Sequence, residues 1–205
     1  MTDLQVADPQ VSRAKFAREV EDFRSLARDY GGRGWFLAEA AFPVVRVVMA
    51  APQLSPPAIV TGVRLDYTNY DARPPSVRLV DPFTDEPFTA GELPTVLQRT
   101  VNNTSIQLQG VALPPGAGAM FVEQQPLMQA YGPDDIPFLC VAGVREYHDH
   151  PGHSGDAWEL HRPTGAGRLV RILDVISRYG VEPITDYNLA LKLEVQGFRQ
   201  GEPPA

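Results

Sequence analysis

Cysteine and histidine are nearly absent from this chain: its 205 residues hold one cysteine and four histidines. A lone cysteine excludes an internal disulfide and fits a reducing compartment, so a cytoplasmic location is expected. Basic residues are also short. Eighteen Lys and Arg stand against 25 Asp and Glu, leaving a formal charge of −7. A nucleic acid or an anionic membrane needs a basic face, and both are disfavoured as partners. The longest mostly apolar run, around Val44 to Pro52, falls far below the roughly 20 residues that span a bilayer. The opening MTDLQVADPQ has no basic start and no apolar core, so no signal peptide is expected. What is present suffices for a core: 43% of the residues are hydrophobic, and one α+β domain over 1–205 is expected. Twenty prolines and 17 glycines imply many turns and argue against an all-helical bundle.

Residues 8–30 predict a helix. Asp8 suits the cap, Pro9 the first turn and Gly31-Gly32 the end. Phe16, Val20, Phe23, Ala27 and Tyr30 recur on one face. Segments 35–40, 43–50, 58–66 and 76–80 predict four strands with short connections, favouring an antiparallel meander. Val63, Leu65 and Tyr67 alternate with polar residues, as on a half-buried strand. An irregular insertion follows at about 82–137, with a short helix expected in Thr89–Thr100 and a loop at Val111–Ala119. Phe138–Tyr147 predicts a further strand. Gly165–Tyr179 predicts a helix with Leu169, Ile172, Leu173 and Ile176 on its apolar face. The tail Ile184–Phe198 reads as helix or strand, and the terminal GEPPA as frayed. Helix, strands, loop, polar cluster and helix make an α+β arrangement.

The polar cluster, REYHDHPGHSGDAWELHR, spans 145–162 and contains every histidine; Cys140 lies five residues before it. Zinc takes thiolate, imidazole and carboxylate, usually four together. Cys140, Glu146, His148, His150, His153 and His161 are therefore candidate ligands, within a metal-site segment at 138–162. On an extended strand Cys140, Glu146, His148 and His150 share one parity. Gly143 is a candidate bend, and Pro151-Gly152 a turn that swings His153 back; Trp158–His161 then returns as a second strand. Asp149 or Asp156 is the carboxylate expected to orient a ligating histidine. Arg145 and Arg162 flank the cluster, most simply as solvated arginines. The Thr164–Arg168 stretch opens a helix and offers a weak anion site.

Two resemblances bear on these residues. The element order resembles the ubiquitin-conjugating-enzyme superfamily, and TNYDARPPSVRL (68–79) is similar to its tyrosine-and-proline run before the fourth strand. That implies a helix, a four-stranded meander, a long loop carrying the site, and a following helix. The chain departs from the superfamily's pattern: no His-Pro-Asn precedes a cysteine, and Cys140 comes before the histidines. Second, FLCVAGVREYHDHPGHSGDAWELHR resembles a family of bacterial predicted metal-binding proteins named for a Cys-Glu-His-His set. This implies Cys140 and Glu146 as ligands, with His148 first and His153 next among the histidines. It also implies partners from a ubiquitin-like conjugation system. The favoured reading is an accessory protein of such a pathway with one structural zinc ion. One alternative is a metal-dependent, isopeptidase-like hydrolase with Glu146 as general base, since His148-Asp149-His150-Pro151 is similar to the JAB-type His-x-His-Pro; the aspartate spacing that should follow is missing. The other is a conjugating-enzyme-like transferase using Cys140 as nucleophile.

Overall fold

The computed structural model describes residues 4–102 and 122–188. Asp8 caps α1 (Pro9–Ser25), its carboxylate accepting from the Gln10 amide at 2.8 Å. Phe16, Val20 and Phe23 enter the core as expected. The single helix expected over 8–30 is two. Leu26 leaves helical geometry (φ −116°), and α2 (Ala27–Gly32) restarts beyond it. The restart exposes Ala27 and stacks Tyr30 on Trp35, with ring centroids 5.2 Å apart.

Four strands follow: β1 (Trp35–Ala41), β2 (Val44–Ala51), β3 (Ala58–Asp66) and β4 (Ser76–Val80). They form one antiparallel sheet in the order β1-β2-β3-β4, the predicted meander. Alternation fixes its register. Val45 lies opposite Leu65 and Leu65 opposite Val77; one step along, Val47, Val63 and Leu79 align the same way. All six are buried in one cluster with α1 and α5 (Leu169–Ile176), which brings Leu169, Ile172, Leu173 and Ile176. The helix does not stop before Gly180; its last turn widens over Ser177–Val181.

The stretch expected to be irregular contains more strand than its sequence suggested. Among its described residues β5 (Gln98–Asn102) pairs with β6 (Val122–Pro126), and β7 (Met128–Gln129) with β8 (Phe138–Leu139). The helix expected in Thr89–Thr100 is a single 3₁₀ turn, Ala90–Glu92, closed by reciprocal Thr89–Glu92 bonds. Pro94 lacks the amide needed to extend it, and β5 begins instead. The loop at Val111–Ala119, the tail beyond 188 and GEPPA lie outside the described residues.

The strand expected over 138–147 is corrected most. It lasts two residues. Gly143 then takes φ +102°, with its Cα so close to Ala166 that a Cβ would fall 2.4 Å from the Ala166 carbonyl oxygen. Only glycine fits there. The chain turns and α3 (Arg145–Asp149) starts. A 3₁₀ turn at Pro151–His153 and α4 (Trp158–His161) complete the segment, so the expected return strand is a helical turn. Helix, meander, cluster-bearing segment and helix is the order implied by the conjugating-enzyme resemblance. Among the described residues no helix is long and apolar enough to cross a membrane.

Candidate active site

The cluster is held against the sheet by its first helix. Arg145 is buried, not solvated. Its Nε donates to the Pro74 carbonyl at 3.1 Å, and its guanidinium to the Thr68 and Asp66 carbonyls at 2.5 and 3.3 Å. Its own amide donates to Pro75 at 2.9 Å. One side chain thus ties α3 to the 68–75 loop, within the stretch that resembles the conjugating-enzyme run. Arg73 and Asp149 add a two-pronged ion pair at 2.7 and 2.8 Å. Trp158 Nε1 donates to the Asp71 carbonyl at 2.9 Å.

The helix separates the expected ligands, because α3 rotates neighbours where a strand would alternate them. Glu146 turns to β4, accepting from the Ser76 hydroxyl and the Val77 amide (3.3 Å) and pairing with Arg78 at 3.2 Å. His148 turns to the Gly143 bend. Its Nδ1–H donates to the Asp156 carbonyl at 2.9 Å, and its Nε2 accepts from the Gly143 amide at 3.2 Å. Backbone groups thus fix its tautomer and engage both nitrogens. Burial lowers its pKa from the ordinary 6.5, so it is a neutral strut of the loop. His150 accepts from the Gly152 amide on Nδ1 at 3.1 Å and meets the Tyr131 hydroxyl with Nε2 at 2.9 Å. Its ring stacks on Phe138, centroids 5.2 Å apart.

Cys140 and His153 are brought together. Sγ and Nε2 are 3.4 Å apart. Cys140 follows β8 directly, its amide bonded to Leu127 at 2.7 Å. His153 closes the Pro151 turn, its amide bonded to His150 at 2.9 Å. Burial raises the Cys140 thiol above its ordinary 9.0, with the Arg99 charge acting the other way. A thiol so placed ionises only with a base at hand, and the His153 imidazole is in contact with it.

One residue of this site, Tyr147, has no part assigned to it from the sequence. The Tyr147 ring stacks on His153, centroids 4.0 Å apart and planes 23° off parallel. Its hydroxyl donates to Asp156 Oδ2 at 2.5 Å, while His161 Nε2 lies 2.5 Å from Asp156 Oδ1. These bonds, Tyr147 first, hold the Asp156 carboxyl below its ordinary 3.8. Burial and then the Asp156 bond push the Tyr147 phenol up to about 12. Asp156 had been a candidate only for orienting a metal ligand; its carbonyl does hold His148. The signal available for Tyr147 was its place among the histidines.

As arranged, the donors do not close around an ion: among the described residues no group of three or more His, Cys, Asp or Glu is disposed to hold a metal. The Thr164–Arg168 stretch is likewise committed, because the Leu169 amide that opens α5 donates to the buried Glu19 carboxylate at 3.1 Å.

Comparison with known proteins bears on the whole chain. The model of the Y4jH family, described as Y4jH-like, matches residues 7–184. An uncharacterized protein, y4jH, of Sinorhizobium fredii (strain NBRC 101917 / NGR234) is 43% identical over 203 residues, covering 97% of this chain and 96% of that protein.

Proposed function

The chain belongs to the Y4jH family, and we propose that it is a conjugating-enzyme-like acyl-transfer protein whose Cys140 carries the C-terminal acyl group of a ubiquitin-like protein. The observation that carries this reading is the 3.4 Å contact between Cys140 Sγ and His153 Nε2. Its setting supports it: a meander, a bend and a helix, in the order of that superfamily. The Cys140 proton passes to His153. The thiolate attacks the carbonyl carbon of an acyl group presented as a thioester on an activating enzyme. The new carbon–sulfur bond forms as the old one breaks, and the activating enzyme leaves as its thiolate. That thiolate takes the proton from His153; an amine acceptor then attacks the Cys140 thioester carbon, the carbon–sulfur bond breaks as the carbon–nitrogen bond forms, and the amine's proton passes to the released Cys140 thiolate.

The test is incubation with a ubiquitin-like protein, its activating enzyme and ATP. The expected product is a reductant-sensitive adduct with wild type, absent from His153→Ala and replaced by a reductant-stable ester in Cys140→Ser. A wild-type adduct that resists reductant, or one that persists unchanged in Cys140→Ser, overturns the assignment.

A second reading rests on the same contact. Sulfur and nitrogen on one tetrahedral zinc ion are about 3.6 Å apart, close to the 3.4 Å seen here. Under it Cys140 and His153 hold one end of a structural zinc site in an accessory protein of the same pathway, and the thiol is not a nucleophile. Metal analysis of protein purified without a metal-binding tag decides. One equivalent of zinc in wild type, lost in Cys140→Ser, favours this reading; no metal removes it.

A further inference from the structure

Resting on the acyl-transfer reading, we propose that Tyr147 is the positioning residue of the Cys140–His153 pair, anchored through its hydroxyl to Asp156. The geometry is a chain of contacts running away from the thiol. Cys140 Sγ touches His153 Nε2 at 3.4 Å. The His153 ring lies flat on the Tyr147 ring, centroids 4.0 Å apart. The Tyr147 hydroxyl is tied to Asp156 Oδ2 at 2.5 Å, and Asp156 is tied in turn to His161 by its other oxygen and to His148 by its carbonyl. His153 is on a short turn exposed to solvent on one side, and a histidine there samples several rotamers unless something fixes it. A parallel aromatic ring restricts the imidazole to one plane. That plane directs Nε2 at the thiol.

The phenol itself cannot slide, because the helix fixes its backbone and the carboxylate fixes its far end. Tyr147 touches the imidazole and acts through it. Asp156 is one step further out and supplies the anchor. Nothing in this chain of contacts requires a metal or the acyl donor, so it can be tested on the protein alone.

The experiment measures the second-order rate of Cys140 alkylation by iodoacetamide across pH, with thermal melting as control. The variants are Tyr147→Leu, Tyr147→Phe and His153→Ala, and each Tyr147 change is repeated in the His153→Ala background. His153→Ala is expected to slow alkylation near neutral pH and move its profile up towards that of an unassisted thiol. Tyr147→Leu is expected to slow it by about tenfold, the size of a coupling between touching residues. Tyr147→Phe keeps the ring but loses its tie to Asp156, and is expected to slow alkylation by about threefold, less than Tyr147→Leu. In the His153→Ala background Tyr147→Leu is expected to change nothing further. Equal slowing by Tyr147→Leu with and without His153 overturns the proposal, since Tyr147 then acts on the thiol by another route. If Tyr147→Leu does not fold, a Tyr147→Phe loss that vanishes in His153→Ala supports the anchor, and one that persists there overturns it. If His153→Ala leaves the alkylation profile unchanged, the acyl-transfer reading falls before this one is reached.

Discussion

Across the meander, Val47, Val63 and Leu79 stand side by side on three strands and are almost wholly removed from water. From Cys140 to His161 the chain is held largely by polar contacts: Arg145 to three backbone carbonyls, Glu146 to Ser76 and Arg78, Asp156 to Tyr147 and His161. Burial of apolar surface is non-directional and forgives small shifts. Hydrogen bonds to backbone carbonyls and carboxylates fix angle as well as distance. The first region buries apolar side chains from three strands, and burial of that kind is the main favourable contribution to folding. The second adds Val144 and Trp158 to the buried residues, and its polar side chains aim a thiol and an imidazole.

The two regions should therefore respond differently to damage. Leu65 is fully buried between β2 and β4, and Leu65→Ala should cost about 3 kcal/mol of stability. The fraction still folded should alkylate at Cys140 at the wild-type rate, because no bond of the cluster is touched. Denaturant unfolding paired with alkylation under native conditions checks this. Slowed alkylation in the folded fraction would show that the two regions are not separable.

Gly143→Ala reverses the pattern. The new Cβ meets the Ala166 carbonyl at 2.4 Å in a φ that alanine avoids. Strain and overpacking together should cost about 2 kcal/mol. The damage falls first on the cluster, since the Gly143 amide also holds His148. Limited proteolysis between residues 140 and 165 should become faster while the meander stays resistant. Uniform protection would mean that the bend is not what closes the segment.

The same contrast explains which features were legible in the sequence. A strand or amphipathic helix announces itself by spacing, because its partner is simply the apolar interior. Phe16, Val20 and Phe23, or Leu169, Ile172, Leu173 and Ile176, need no knowledge of what they meet. The four strands were read to within about a residue for that reason. Cys140 and His153 were legible as candidates by their rarity. Their grouping was not. Phe138, Leu139, Val141 and Val144 suggest a strand, and nothing local reveals that Gly143 must turn because Ala166 lies against it. Glu146 looked like a ligand because it is near histidines in sequence, yet its partners Ser76 and Arg78 lie about 70 positions earlier. Arg145 looked solvated for the same reason. Its carbonyl partners, Asp66, Thr68 and Pro74, lie at the end of β3 and in the loop that follows it.

The smallest expected effect separates the regions by pH. His148 is held neutral between the Asp156 carbonyl and the Gly143 amide, and burial lowers its pKa below 6.5. The unfolded chain therefore takes up this proton before the folded one does. The contribution of His148 to stability is complete above pH 6.5 and falls as the pH drops below it. Asp156 works in a lower window: its carboxyl is depressed from 3.8, so its share is lost only as the pH falls through that more acidic range. His148→Ala removes two hydrogen bonds and should cost about 1 kcal/mol at pH above 6.5. Urea unfolding of wild type and variant at pH values either side of 6.5 should show the difference shrinking on the acid side. A difference that stays constant would mean that His148 is not the neutral strut of the loop. A core substitution such as Leu65→Ala provides the reference, because its cost has no titrating group behind it and should be the same at both pH values.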